Sequence, residues 1–198
     1  MGDAGGQRRM TVGEYLRFDE GSPIRHEFVS GDVYAMTGAT VRHNRIVRNI
    51  GTRLSVVARD GPCDVFTSDM RVGVASDVFY YPDVMVTCAP LAELDVIARE
   101  PCIVVEVTSA GSARIDRGEK LDAYRRVPGL RAYLIVDHRR RRVERHWRAS
   151  EAGPWQREET VGEGRVAIAC LDVDLTLDEI YRRVDLAAVG EPEAEYEQ

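Results

Sequence analysis

The chain has 198 residues, 44% of them hydrophobic, which is enough for one core and little for two. No apolar run approaches the roughly 18 residues of a membrane-spanning helix, and "MGDAGGQRRM" lacks the apolar segment of a secretory signal. A formal charge of −6, from 27 Lys+Arg against 33 Asp+Glu, argues against a protein that coats DNA by bulk attraction, yet leaves room for a local basic cleft.

Residues 1–9 read as a flexible extension, 10–184 as a single domain, and 185–198 as an acidic, disordered tail. Cys63, Cys88, Cys102 and Cys170 show no C-x-x-C pairing. With no secretory signal, a cytoplasmic protein with four reduced thiols is expected.

In chain order, "TVGEYLRFDEG" predicts a short first helix. "RHEFVSGDVYAM" predicts a hairpin turning at Ser30-Gly31-Asp32. From Thr40, a plausible N-cap, Ile46, Val47, Ile50, Leu54 and Val57 form one apolar helical stripe that Gly61-Pro62 ends. "CDVFTSDMRVGV" and "VFYYPDVMV" read as two strands of a hairpin turning at Ala75-Ser76-Asp77. "CIVVEVTS" is a short apolar strand, and a helix over 112–127 follows it. "RAYLIVD" is the next strand, "RRVERHWR" another, with weaker strands at 155–160 and 165–169 before a final helix. The fold class is therefore α/β or α+β: a mixed central sheet flanked by helices, core order αβββαβ, with an N-terminal β-hairpin.

Two of these apolar strands carry one carboxylate each, Asp83 after Pro82 and Glu106 within Ile-Val-Val-Glu-Val. An isolated ionised carboxylate in low dielectric costs several kcal/mol unless it is paired, protonated or metal-bound. If the strands are neighbours, both acids converge and offer oxygens to a hard cation; Mg²⁺ suits one or two carboxylates with the remaining positions left to water and phosphate. Lys120 lies four residues after Asp116 on the following helix, on the same face. Its ammonium can orient or help deprotonate the attacking water, or stabilise charge building on a phosphate.

"YPDVMV", "VVEVTS" and "RGEKLDAYRR", in that order, resemble the PD-(D/E)xK restriction-endonuclease-like superfamily, and more narrowly the bacterial Uma-two family of candidate endonucleases. The similarity runs over residues 10 to 184 and includes "MTVGEYLRF", "HEFVSGDVYAM", "RHNRIVRNI", "SDMRV" and "AYLIVD". In that family the lysine is displaced from the E-x-K position to the next helix; here Thr108 stands two residues after Glu106, and Lys120 holds the displaced place. The resemblance implies a restriction-endonuclease-like core, adds Glu27 and His43 to the site, and makes a homodimer plausible. The loop "TSAGSARID" departs from the family's usual Ser-Pro-Ser-Thr without losing a candidate ligand.

Each of these residues also has a plainer reading. Asp83 can cap a loop after Pro82, Glu106 can form a structural ion pair with Lys120, and Lys120 can be a solvated partner of Asp116. Glu27 beside its turn would ordinarily be exposed. His43, in the first turn of a helix whose dipole disfavours a cation, is expected neutral, as a site or a surface residue. Asp69 can be a third acid on the polar face of its strand but is expected to pair with Arg71, Asp137 to cap a turn, and the run Arg139–Arg142 to be a solvated turn and charged edge strand rather than a phosphate contact.

Together these point to a divalent-metal-dependent nuclease acting on nucleic acid, DNA more than RNA. Asp83, Glu106 and the Val107 carbonyl would bind Mg²⁺ or Mn²⁺; Lys120, Glu27 and His43 would complete the catalytic set. Two other classes stay open: a catalytically silent binding or regulatory module on the same scaffold, and a hydrolase of small phosphorylated substrates.

Overall fold

Thr11 and Thr40 start the first two helices through the same device, a threonine hydroxyl accepting from a backbone N–H of the first turn. Helix α1 (Val12–Glu20) closes a capping box with Glu14 and ends at Gly21. Strands β1 (His26–Val29) and β2 (Asp32–Ala35) form the N-terminal hairpin, and α2 (Val41–Ala58) buries Ile46, Val47, Ile50 and Leu54. The computed structural model describes residues 9–36, 38–108 and 112–187. The acidic tail beyond 187, most of the N-terminal extension and positions 109–111 of the departing loop lie outside them.

The hairpin expected from 63 to 87 forms, but both arms are broken at the same level. One arm is β3 (Asp64–Thr67) and β4 (Arg71–Ala75); the other is β5 (Val78–Tyr80) and β6 (Val84–Thr87). β4 pairs with β5, β3 pairs with β6, and the two breaks touch through the Ser68 N–H donating to the Asp83 carbonyl at 3.2 Å. Ser68 has φ 59°, outside the extended range, and Pro82 has no N–H to give a ladder. The expectation of two uninterrupted strands is therefore corrected. Asp83 stands in the break, not within a strand.

The break divides the molecule into two sheets. The smaller has the order β2-β1-β5-β4-β7, with β7 at Ile97–Ala98. The larger has the order β11-β10-β9-β8-β6-β3, built from β8 (Pro101–Thr108), β9 (Ala132–Asp137), β10 (Arg142–Trp147) and β11 (Gln156–Val161). β8 and β9 are parallel, and the crossover between them carries α3 (Ala113–Arg117) and α4 (Glu119–Tyr124). One helix was expected over 112–127; Gly118 splits it. A two-stranded ribbon, β12 (Arg165–Ile168) and β13 (Val173–Thr176), leads to α5 (Leu177–Ile180).

All eight residues of β8 are buried, which explains its nearly continuous apolar sequence. One face of the large sheet, with Val105, Val107 and Leu134, packs on α2, α5 and the ribbon. The other, with Val104, Tyr133 and Ile135, packs on Leu121 and Tyr124 of α4 and on Val72 and Tyr80 of the small sheet. Each such side chain contributes roughly 1.5–3 kcal/mol when fully buried. A third cluster stacks Tyr15 of α1 on Phe28 and Phe79.

Two further expectations change. Cys63 is bonded to Cys88 and Cys102 to Cys170, so the four thiols are not reduced in this structure. The hairpin Asp64↔Thr87 brings the first pair across the ladder, and Cys170 reaches Cys102 from the short turn after β12. Also, β10 is no edge strand, because β11 covers it.

Candidate active site

The junction of the two sheets gathers polar residues from five chain segments. The register Val84↔Val105, continued by one residue, sets Asp83 opposite Glu106. The Asp83 Oδ2 accepts from the Val107 N–H at 2.7 Å, and its Oδ1 lies 2.9 Å from Nε2 of His43, at the start of α2. Glu106 is 5% exposed. Its Oε1 accepts from Lys120 Nζ at 3.1 Å and from the Tyr124 hydroxyl at 3.3 Å. The same ammonium donates to Glu27 Oε1 at 2.7 Å, so α4 ties β1 of the small sheet to β8 of the large one. Asp116 of α3 lies 4.0 Å from Lys120 of α4, across the break at Gly118.

All five residues singled out from the sequence thus meet, in two contacting sets: Asp83 with His43, and Glu106 with Lys120 and Glu27. Glu27 and Lys120 depart from the exposed positions their plainer readings give them. Asp69 pairs with Arg25 at 3.3 Å rather than with Arg71. Asp137 caps a turn, its Oδ1 accepting from the Arg139 and Arg140 N–H groups. In the basic run, Arg141 contacts Asp178 and Arg142 lies 2.8 Å from Glu159.

The charges are unbalanced. Asp83, Glu106, Glu27 and Asp116 share one ammonium and one imidazole. Burial raises the Glu106 pKa well above the usual carboxylate range; Lys120 opposes this, while Asp83, Asp116 and Glu27 add to it. Burial also raises the Asp116 pKa against the pull of Lys120. Lys120 itself is desolvated, but Glu106, Glu27 and Asp116 more than offset that and hold it protonated. His43 behaves likewise: burial would lower its pKa, but Asp83 and the Val107 carbonyl raise it. The Asp83 carboxylate in contact thus opposes the helix dipole, which favours the neutral imidazole. An excess of hard oxygen donors with too little positive charge fits a divalent cation.

The sequence offered no sign of the support beneath this site. Asp19 of α1 is fully buried and accepts from Arg71 at 2.6 Å, the Tyr81 hydroxyl at 2.5 Å and the His26 N–H at 2.8 Å. Tyr81 in turn donates its N–H to Glu27 at 3.3 Å. Only the i, i+4 placement of Asp19 after the core residue Tyr15 could have suggested that it faces inward. Beside the site, a groove along α2 is lined by Arg48, Thr52, Ser55, Arg59 and Ser68 and holds no acid.

The family profile Uma2, described as "Putative restriction endonuclease", matches residues 12–179. Two uncharacterized proteins of Synechocystis sp. are similar. One is 32% identical over 158 residues, covering 78% of this chain and 89% of its own. The other is 28% identical over 176 residues, covering 88% and 92%. The crystal structure of a "putative nuclease belonging to DUF820" from Anabaena variabilis superposes with a TM-score of 0.71 at 15% identity, covering 87% of this chain and 97% of that one. That likeness establishes the restriction-endonuclease-like fold.

Proposed function

The chain belongs to the Uma2 restriction-endonuclease family, and on that premise we propose that it is a divalent-metal-dependent nuclease hydrolysing phosphodiester bonds, of DNA in preference to RNA. The observation that carries the reading is the convergence of Glu106, Glu27 and Asp116 on a single buried lysine, with Asp83 opposite Glu106 across the β6–β8 ladder. Asp83, Glu106 and the Val107 carbonyl would hold Mg²⁺ or Mn²⁺. Such an ion, when bound, supplies Lewis acidity toward the phosphate and offsets the charge of the acids.

The side chains have separable tasks in an in-line attack of water on phosphorus. Lys120, which donates to Glu27 and Glu106, assists the attacking water and stabilises charge building on the phosphate oxygens. Glu27 orients that ammonium, and the Tyr81 N–H fixes Glu27. His43 pairs with Asp83, which raises its pKa, and keeps that carboxylate aimed at the junction. The acid-free groove along α2 suits a phosphate backbone. Cutting both strands of a duplex takes two sites, for which a twofold homodimer is the simplest arrangement.

Incubating supercoiled plasmid with the protein in Mg²⁺ or Mn²⁺ tests the reading. Nicked or linear product is expected, absent with a chelator and absent with Asp83→Asn. Equal cleavage by that variant would place the activity elsewhere.

A further inference from the structure

The four cysteines form a second cluster, at the opposite end of the β6–β8 ladder from the carboxylates. β6 (Val84–Thr87) lies between Asp83 and Cys88, and β8 carries both Cys102 and Glu106, so about 15 Å of strand separates the two groups. Cys63 precedes β3, Cys88 follows β6, Cys102 lies in β8 and Cys170 in the short turn after β12. The sulfurs thus come from four separate elements. The two disulfides are not independent of each other: Cys88 Sγ lies 3.8 Å from Cys102 Sγ, and the sulfurs of Cys88, Cys102 and Cys170 all lie within 4.8 Å of one another. Cys63 is held to this trio by its bond to Cys88, across a Cα–Cα distance of 3.9 Å set by the β3–β6 pairing.

Two disulfides that merely staple the fold have no need to share one site. Three sulfurs within 4.8 Å of one another, with a fourth bonded to one of them, offer a soft cation its thiolate donors once reduced. With Zn–S distances of about 2.3 Å, the edges of a tetrahedral ZnS₄ unit are about 3.8 Å, which is the separation of Cys88 and Cys102. Among the described residues, no other group of three or more His, Cys, Asp or Glu side chains has ligand atoms this close. Cys63 and Cys102 are buried while Cys88 and Cys170 are partly exposed, so the cluster has a dry side and an entry side.

We propose that these cysteines are a tetrathiolate site for Zn²⁺ or a cation of similar softness, closed in this structure by oxidation to two disulfides. Opening it takes a dithiol reductant. Each disulfide gains two electrons and two protons, and the reductant leaves as its own disulfide. The four thiols then release their protons as the cation binds, which joins β3, β6, β8 and the β12–β13 ribbon through one ion.

The test uses the full chain, reduced anaerobically with dithiothreitol, freed of reductant, checked for four thiols by Ellman's reagent under native conditions, and titrated with Co²⁺. One Co²⁺ per chain is expected, with thiolate-to-cobalt charge-transfer absorption and tetrahedral visible bands, displaced by one equivalent of Zn²⁺ and lost in Cys102→Ser. Charge-transfer absorption reports sulfur ligands alone, so the result is independent of the carboxylate site. A folded protein with four titratable thiols and no such absorption would overturn the proposal. So would disulfides that yield to the dithiol only when circular dichroism shows the fold is lost.

Discussion

Lys120 Nζ lies 3.1 Å from Glu106 Oε1, and the two residues are buried together between α4 and β8. Neither is stable there alone: the ammonium relies on the surrounding carboxylates, and Glu106 has Lys120 as its cationic neighbour in contact. With the Lys120 contact to Glu27, the pair makes the site both a link between the sheets and a local weak point.

Lys120→Met should therefore cost about 3 kcal/mol of stability at pH 8, the scale for removing one partner of a buried pair, and should abolish cleavage. Without the lysine, Glu106 has a folded pKa still further above its unfolded value. It then destabilises the fold as pH rises through the ordinary value of 4.5 and stops doing so below it. Urea denaturation at several pH values checks this: the deficit against the unsubstituted protein should shrink toward pH 4.5 and grow toward pH 8.

Much of this was legible beforehand, for identifiable reasons. A glutamate inside Ile-Val-Val-Glu-Val has no bland environment available, so Glu106 announced itself. Thr40 and the 3.6-residue stripe defined α2 nearly to the residue. Asp83 stands in a break between strands and not within one. The apolar run on both sides of Pro82 belongs to two different sheets, and local pattern does not record which sheet a strand joins. Asp19 was invisible because its partners, Arg71 and Tyr81, are 52 and 62 residues away. The cysteines carried no spacing signal, since their four elements meet only through the sheet and ribbon.

Asp19→Ala should be the most damaging change outside the site. It strands the Arg71 guanidinium and the Tyr81 hydroxyl in the core, at a cost of about 3–5 kcal/mol, or roughly 6–20 °C in melting temperature for a domain of this size. Burial would raise the Asp19 pKa, but hydrogen bonds from Tyr81, Arg71 and His26 lower it on balance. Its contribution is thus present above the ordinary value of 3.8 and lost as pH falls through the folded one. Calorimetric scans at pH 7 and pH 3 should show a large difference between variant and parent at the first and a smaller one at the second.

His43 should titrate above its ordinary 6.5 in the folded protein. Its contact with Asp83 then adds stability that is full below 6.5 and fades as pH rises through the folded pKa. Proton NMR of the imidazole ring checks the value, and in Asp83→Asn the midpoint should move downward.

DNA binding should be steeply salt-dependent if the groove along α2 holds the backbone. Arg48→Ala and Arg59→Ala should each weaken binding of unrelated duplexes to a similar degree, and reduce the slope of log K against log salt by about 1. Fluorescence anisotropy with two oligonucleotides of different sequence, in Ca²⁺ to hold back cleavage, measures both quantities.

The central claim is that Asp83 and Glu106 form one cation site, and calorimetric titration of Mn²⁺ into the disulfide-bonded protein tests it most directly. The account predicts one bound ion per chain, reduced at least tenfold in affinity by Asp83→Asn and by Glu106→Gln, with both variants still folded. Mn²⁺ binding that is unchanged in both variants would contradict it and would move the metal, and the chemistry, away from this junction.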